Sequence, residues 1–320
     1  MKVATVAEGA LGTLDHMAEA GGARLCVLSV HAHPDDEASK GAATVAKYHA
    51  QGIHTVLVTC TGGEAGDILN PDADTPAARA DLAAVRQREL EESVRIIGYD
   101  ALYLLGYRDS GMPDTESNAH PDNFANADVD EATGRLVAVV RAERPQVIVT
   151  YGNDPGGYEH PDHLRVHAIS VLAFERAGDP EWYPELGEPW QPLKLYYSSG
   201  FSRSRVQAMH DWLVAHDEES PFAEWVARWP EEDTDATTTR VEVADFLEVG
   251  RAALLAHHTQ VAADGFWFKV PLEAARQIHP WEDYVLARSL VDTPPRPALA
   301  YESDLFAGVC TTSSVSGDHA

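Results

Sequence analysis

The chain has 320 residues, 44% of them hydrophobic, which is enough for a substantial core in one large α/β domain or two small ones. Lys and Arg number 24 against 51 Asp and Glu; a formal net charge of −27 disfavours nucleic acid and anionic membrane surfaces as partners. Three scattered cysteines (Cys26, Cys60, Cys310) without CxxC spacing, no apolar run near the ~20 residues of a spanning helix, and no signal-peptide pattern lead us to expect reduced thiols and a cytoplasmic location.

In chain order, residues 1–23 read as a loosely attached N-terminal extension. Apolar, β-rich runs follow at "RLCVLSV" (24–30), "HTVLVTC" (54–60), "ALYLL" (101–105) and "PQVIVTY" (145–151). Helical patterns at about 39–50, 79–97 and 129–143, with a fourth after His160, separate or follow them. This alternation implies βαβ units, and the expected fold is α/β: a Rossmann-like, mostly parallel sheet flanked by helices. "KLYYSSGF" (194–201) reads as a further strand. From about residue 190 the pattern loosens into a C-terminal elaboration with helices at 204–216 and 242–257. No internal repeat or long linker divides residues 24–309, so they are expected to form one domain, followed by a polar, disordered tail at 310–320.

Two strands empty into loops rich in chemistry. "HAHPDDEASKG" (31–41) follows the first strand, and "GNDPGGYEHPDH" (152–163) follows "PQVIVTY". Loops at the carboxyl ends of a parallel sheet line a common crevice, so His-Pro-Asp elements 127 residues apart in sequence can converge. The plainer alternative is that the aspartates cap the next helix, where carboxylates accept its orphan N–H groups. A mononuclear metal site accounts for both loops, with His33, Asp36 and His163 as ligands and one position left for water. That donor set matches catalytic zinc, and ferrous iron also accepts it. Asp35, kept ionised by the cation, would take a proton from water whose pKa zinc brings to roughly 7. His160, kept charged by Asp162, would protonate a departing amine, and Tyr158 would steady the developing oxyanion. Those roles suit amide hydrolysis.

Other residues in these stretches read less sharply. His167 lacks the glutamate of a zincin helix and is expected to pack or to support a ligand, while His31 is a weaker ligand candidate. Glu37 is left to capping or to a supporting position. "TGGEAG" (61–66) lacks both dinucleotide and Walker patterns; its glycines are expected to bring backbone close to the crevice, with Glu64 near the substrate. The competing reading of another class is a non-catalytic, small-molecule-binding α/β protein.

"AHPDDE" (32–37) and "HPDH" (160–163) resemble the paired signatures of the LmbE/PIG-L family of zinc-dependent de-N-acetylases and amidases. "VTCTGGEAGDILNP", "RDSGMPD", "QPLKLYYSSGF", "LLAHHTQ" and "DLFAGV" are similar to its mycothiol S-conjugate amidase branch, and the likeness runs from about residue 24 to 309. The resemblance implies zinc on His33, Asp36 and His163, Asp35 as base, His160 as acid oriented by Asp162, and Tyr158 at the oxyanion. It also implies a glucosaminyl-inositol unit contacted by Arg86 and Asp109, with Lys40 standing where the amidase branch carries lysine. From the residues alone, Arg86 is equally a solvated helix charge and Asp109 a turn cap. The implied reaction cleaves a mycothiol S-conjugate, a small-molecule thiol adduct, into a mercapturic acid and glucosaminyl-inositol. Deacetylation of N-acetylglucosaminyl-inositol or of a natural product is the alternative, and a homo-oligomer is compatible with either.

Overall fold

The computed structural model describes residues 1–6, 24–153, 159–229, 236–292 and 300–309. Its strands are β1 (Lys2–Thr5), β2 (Cys26–His31), β3 (His54–Thr61), β4 (Ala101–Tyr107), β5 (Val147–Thr150), β6 (Lys194–Ser198), β7 (Thr239–Glu242) and β8 (Trp281–Ser289). They form one sheet in the order β1-β4-β3-β2-β5-β6-β8-β7. Pairing is parallel from β1 through β6, and antiparallel where β8 meets β6 and β7.

Helices α1 (Asp36–Ser39), α2 (Ala42–Ala50), α3 (Pro76–Ala80), α4 (Leu82–Ile97), α5 (Val129–Glu143) and α6 (Pro161–Arg176) belong to the parallel half. Helices α7 (Arg203–Ala215), α8 (Ala223–Arg228), α9 (Leu247–Ala256) and α10 (Leu272–Ile278) belong to the C-terminal half. Every residue of β2 and β5 is buried, which requires helices on both faces. On one face, Leu28, Val30, Val58 and Ile148 pack with Leu136 and Val140 of α5 and with Val166 and Ile169 of α6. On the other, Leu57 and Leu102 pack with Val45 of α2, Leu90 and Val94 of α4, and Leu254 of α9. Full burial of one such Leu or Val contributes about 1.5–3 kcal/mol. Helix ends follow local chemistry: Asp128 accepts the Glu131 N–H at 2.9 Å to start α5, and Gly98 closes α4 at φ 95°.

The connection from β2 leads to β3 on one side, whereas β5 lies on the other side of β2 and leads outward to β6. The gap beyond the carboxyl ends of β2 and β5 is therefore the topological switch point, where open α/β sheets bind ligands. Both histidine-bearing loops start there.

Several elements differ from expectation. The first residues of the extension form β1, which pairs with β4, and Lys2 Nζ donates to the Tyr103 hydroxyl at 3.1 Å. Residues 7–23, the tail at 310–320 and Tyr158 lie outside the described residues. The helix expected over about 39–50 begins only at Ala42, with the short α1 before it, because Gly41 takes φ 104°, and a Cβ there would stand 3.1 Å from the Tyr284 hydroxyl. Strands β7 and β8 complete the sheet in the C-terminal half, where Lys194 and Glu302 form a buried ion pair at 2.6 Å. Cys26 and Cys60 are buried free thiols, and no helix among the described residues is long and apolar enough to cross a membrane.

Candidate active site

The loop after β2 turns sharply at Asp35, a non-glycine residue at φ 103° and ψ −25°. That conformation costs roughly 1–3 kcal/mol, so its surroundings must hold it. Arg86 of α4 does so from one side, donating from Nη2 to Asp35 Oδ2 at 2.8 Å and to the Pro34 carbonyl at 2.5 Å. From the other side Glu37 Oε2 accepts the Asp35 N–H at 2.9 Å. Asp35 is formally the N-cap of α1 but makes no side-chain capping bond, which removes the plain capping explanation. Burial raises its pKa against the lowering effect of Arg86, a direction that strengthens the carboxylate as a proton acceptor.

Beside Asp35, the loops after β2 and β5 bring His33, Asp36 and His163 together. His33 Nδ1 lies 3.6 Å and His163 Nε2 3.5 Å from Asp36 Oδ2. These separations are long for hydrogen bonds. They match the donor spacing of a tetrahedral ion, about 3.3–3.6 Å for bonds of about 2.0–2.2 Å. The far nitrogen of His33, Nε2, is 3.2 Å from Asp162 Oδ2, the carboxylate support that metal-binding histidines ordinarily have. Tyr151, just past β5, stacks on His163 with ring centroids 4.4 Å apart, and its hydroxyl is fixed by the Ala32 N–H at 3.0 Å.

Charge supports the same assignment. Asp35, Asp36, Asp109 and Asp162 crowd this pocket, while the permanent cations touching them are Arg86 and Lys40, whose ammonium donates to Asp36 Oδ1. Four carboxylates against two such cations among the described residues leave an excess of negative charge in a largely buried site, which favours a divalent cation. Burial works against ionising Asp36, but Lys40 and His163 hold its pKa well below the usual carboxylate range. His33 is likewise disfavoured as a cation by burial, yet the neighbouring carboxylates of Asp109, Asp162 and Asp36 raise its pKa. A second grouping, His33 with Asp109, His160 and Asp162, is also compact. There, however, Asp109 already accepts the Gly111 and Ala65 N–H groups, and Asp162 accepts from the Ser110 backbone and hydroxyl.

Four expected residues are engaged differently. The Asp162 carboxylate faces His33 and Ser110; what it gives His160 is its backbone N–H, 3.2 Å from Nδ1. His160 is not kept charged: burial, then the nearby His33, push its pKa down to about 4. Arg86, expected at the sugar, is buried under Asp35, and also donates to the Gly63 carbonyl at 2.6 Å. Gly63 must be glycine for that approach, since a Cβ would stand 2.4 Å from the guanidinium. Asp109 is buried beside His33, and Glu64 Oε1 accepts its N–H at 3.1 Å. His31 lies outside the donor set, neutral with a pKa lowered by burial to about 4 and Nδ1 3.1 Å from the Tyr151 hydroxyl. His167 Nδ1 meets the Tyr151 carbonyl at 2.9 Å.

Tyr151, Ser110 and His257 also serve the site, although no motif in the sequence singles them out. Tyr151 had one usable signal, its position at the carboxyl end of a strand bordering the switch point. Ser110 and His257 reach the site only through tertiary contacts.

Imidazoles and carboxylates gathered at the switch point of a parallel α/β sheet, with an anchored carboxylate beside them, define a hydrolase whose cluster can hold a metal ion. The chain belongs to the PIG-L family, whose model, GlcNAc-PI de-N-acetylase, matches residues 28–174. It is 47% identical over 293 residues to the mycothiol S-conjugate amidase of Streptomyces coelicolor, covering 89% of this chain and 98% of that one. It is 40% identical over 297 residues to the 1D-myo-inositol 2-acetamido-2-deoxy-alpha-D-glucopyranoside deacetylase of Streptomyces avermitilis, covering 88% and 97%. The N,N'-diacetylchitobiose deacetylase of Pyrococcus horikoshii shares the fold, with a TM-score of 0.57 over 82% of this chain and 83% of that one at 18% identity.

Proposed function

We propose that the chain is a zinc-dependent amidase that cleaves mycothiol S-conjugates at the amide joining the substituted N-acetylcysteine to glucosaminyl-inositol. The observation that carries this reading is the juxtaposition of the His33, Asp36 and His163 donors with Asp35, a carboxylate anchored outside that set. Two histidines and one carboxylate are donors that zinc accepts in catalytic sites, and ferrous iron is the second candidate. Held there, the ion supplies Lewis-acid polarisation of water and of the substrate carbonyl.

The chain's own groups handle the protons. Arg86 fixes Asp35 Oδ2, and Asp35 Oδ1 takes the proton as water adds to the amide carbon. His160 accepts the Asp162 N–H at Nδ1, so its neutral ring carries N–H on Nε2 and donates a hydrogen bond to the leaving nitrogen, while the proton held by Asp35 passes to the departing amine as the C–N bond breaks. The products are a mercapturic acid and glucosaminyl-inositol. Tyr158 is assigned the oxyanion, and Lys40, Glu64 and Asp109 the substrate side of the crevice. The higher identity to the Streptomyces coelicolor amidase supports the amidase reading, and the 40% identity to a deacetylase keeps that activity as the second one.

Metal analysis followed by competing rates tests the reading. We expect about one zinc per chain, and cleavage of a bimane conjugate of mycothiol at least about tenfold faster than deacetylation of N-acetylglucosaminyl-inositol. Faster deacetylation would select the second activity. Full activity without any transition metal would overturn both.

A further inference from the structure

The left-handed turn at Asp35 depends on the acceptor of its backbone N–H, and that acceptor has a support of its own. Glu37 lies on the single turn of α1 with no solvent exposure. Its Oε2 takes the Asp35 N–H, while its Oε1 receives the Ser93 hydroxyl of α4 and lies 2.6 Å from His257 Nε2. An imidazole nitrogen this close to a carboxylate oxygen carries a proton and donates it. His257 is the C-cap of α9, is fully buried, and stands 220 residues from Glu37 in sequence. Its Nδ1 has no hydrogen-bond partner among the described residues, so the polar interaction it makes there is directed at Glu37.

We propose that His257 is a positioning residue: acting through Glu37, it fixes the backbone of Asp35 in the left-handed turn that aims the Asp35 carboxylate into the crevice. The inference rests on the reading of Asp35 as the base. Without the His257 N–H, Glu37 keeps Ser93 but loses one of the two donors to Oε1, and the acceptor of the Asp35 N–H is less firmly held. A strained turn that is no longer over-determined relaxes toward negative φ. In this way the C-terminal half, which supplies no member of the donor set, completes the catalytic loop from behind.

The test combines kinetics, metal content and a double-mutant cycle on the full-length, metal-loaded protein. His257→Leu should keep its metal and a KM within about twofold, while kcat falls about 10–100-fold. His257→Gln, which retains an N–H donor, should recover most of that loss, and a crystal structure of His257→Leu should show Asp35 at negative φ. On an Asp35→Asn background, with no base left to aim, His257→Leu should change kcat no further. Equal losses on both backgrounds, or an unchanged kcat in soluble His257→Leu, overturn the proposal. If His257→Leu does not fold, Ser93→Ala removes the other donor to Oε1; a kcat about 2–5-fold lower, seen only with Asp35 present, supports the proposal and an unchanged kcat overturns it. Full turnover by Asp35→Asn alone would remove the base itself, a failure of the underlying reading that this single variant reveals separately.

Discussion

At the amino ends of the parallel strands, His54 bridges two carboxylates, with Nδ1 3.1 Å from Asp100 and Nε2 2.8 Å from Glu143. At the carboxyl ends, His33 also stands among carboxylates, 3.6 Å from Asp36 on one side and 3.2 Å from Asp162 on the other. The residue types are the same, but the arrangements are not. The amino-end cluster is closed: both ring nitrogens are within bonding distance, Asp100 also takes the Thr55 N–H, Arg24 lies 3.6 Å away, and solvent reaches the group. The carboxyl-end cluster is buried, negative in excess, and holds its donors at the spacing of a shared ion rather than of mutual hydrogen bonds. Position relative to the switch point, not composition, separates a structural ion network from a candidate catalytic one.

The largest expected effect tests that separation directly. Asp36→Ala should lose its metal and lower kcat/KM about 10³-fold or more, because a ligand and the charge that holds the cation go together. Asp100→Ala, the matching deletion at the other end, should keep metal and kcat and cost about 1–3 kcal/mol of stability through unsatisfied partners. Metal retained in Asp36→Ala, or lost in Asp100→Ala, would erase the distinction between the two ends.

Within the carboxyl-end cluster the next contrast is between adjacent residues. Asp35→Asn should keep full metal content while kcat falls about 10²–10⁴-fold, the usual contribution of a general base. Equal metal loss in Asp35→Asn and Asp36→Ala would show that both carboxylates serve the ion, and would leave proton transfer without an owner.

Much of this site was readable because its signals are local. His33, Asp36 and His163 follow recognisable buried strands, and βαβ alternation already brings those strands' carboxyl ends to one crevice. What the sequence hid are choices of partner made across elements. Whether Asp162 serves His160 or His33 depends on the loop after β4, which lays Ser110 against the same carboxylate. Arg86 looks like one of several charges on an amphipathic helix, and only the left-handed Gly63 shows how its guanidinium reaches the space beneath Asp35. Strand β1 is four residues long and mostly exposed, and β8 mixes charged with apolar residues at intermediate burial, so neither presents the continuous apolar run that marks β2 or β5.

The smallest effect belongs to the amino end and sharpens the comparison through pH. The bond to Glu143, joined by its charge and by Asp100, raises the His54 pKa despite the opposing effect of partial burial. A histidine whose folded pKa lies above its unfolded value of about 6.5 binds the proton more tightly when folded. Its stabilising contribution is complete below about pH 6.5 and is lost as pH rises through the raised folded value. Because the group is partly solvated, the contribution should be only about 0.5 kcal/mol. Urea unfolding of the parent and of His54→Asn between about pH 5.5 and 8.5 should therefore show the largest stability gap at the acid end, narrowing toward the alkaline end. Metal content and kcat should be the same in both proteins at every pH. A gap that widens with rising pH would mean that His54 is held neutral, and the amino-end cluster would then not be the closed ion network its geometry describes.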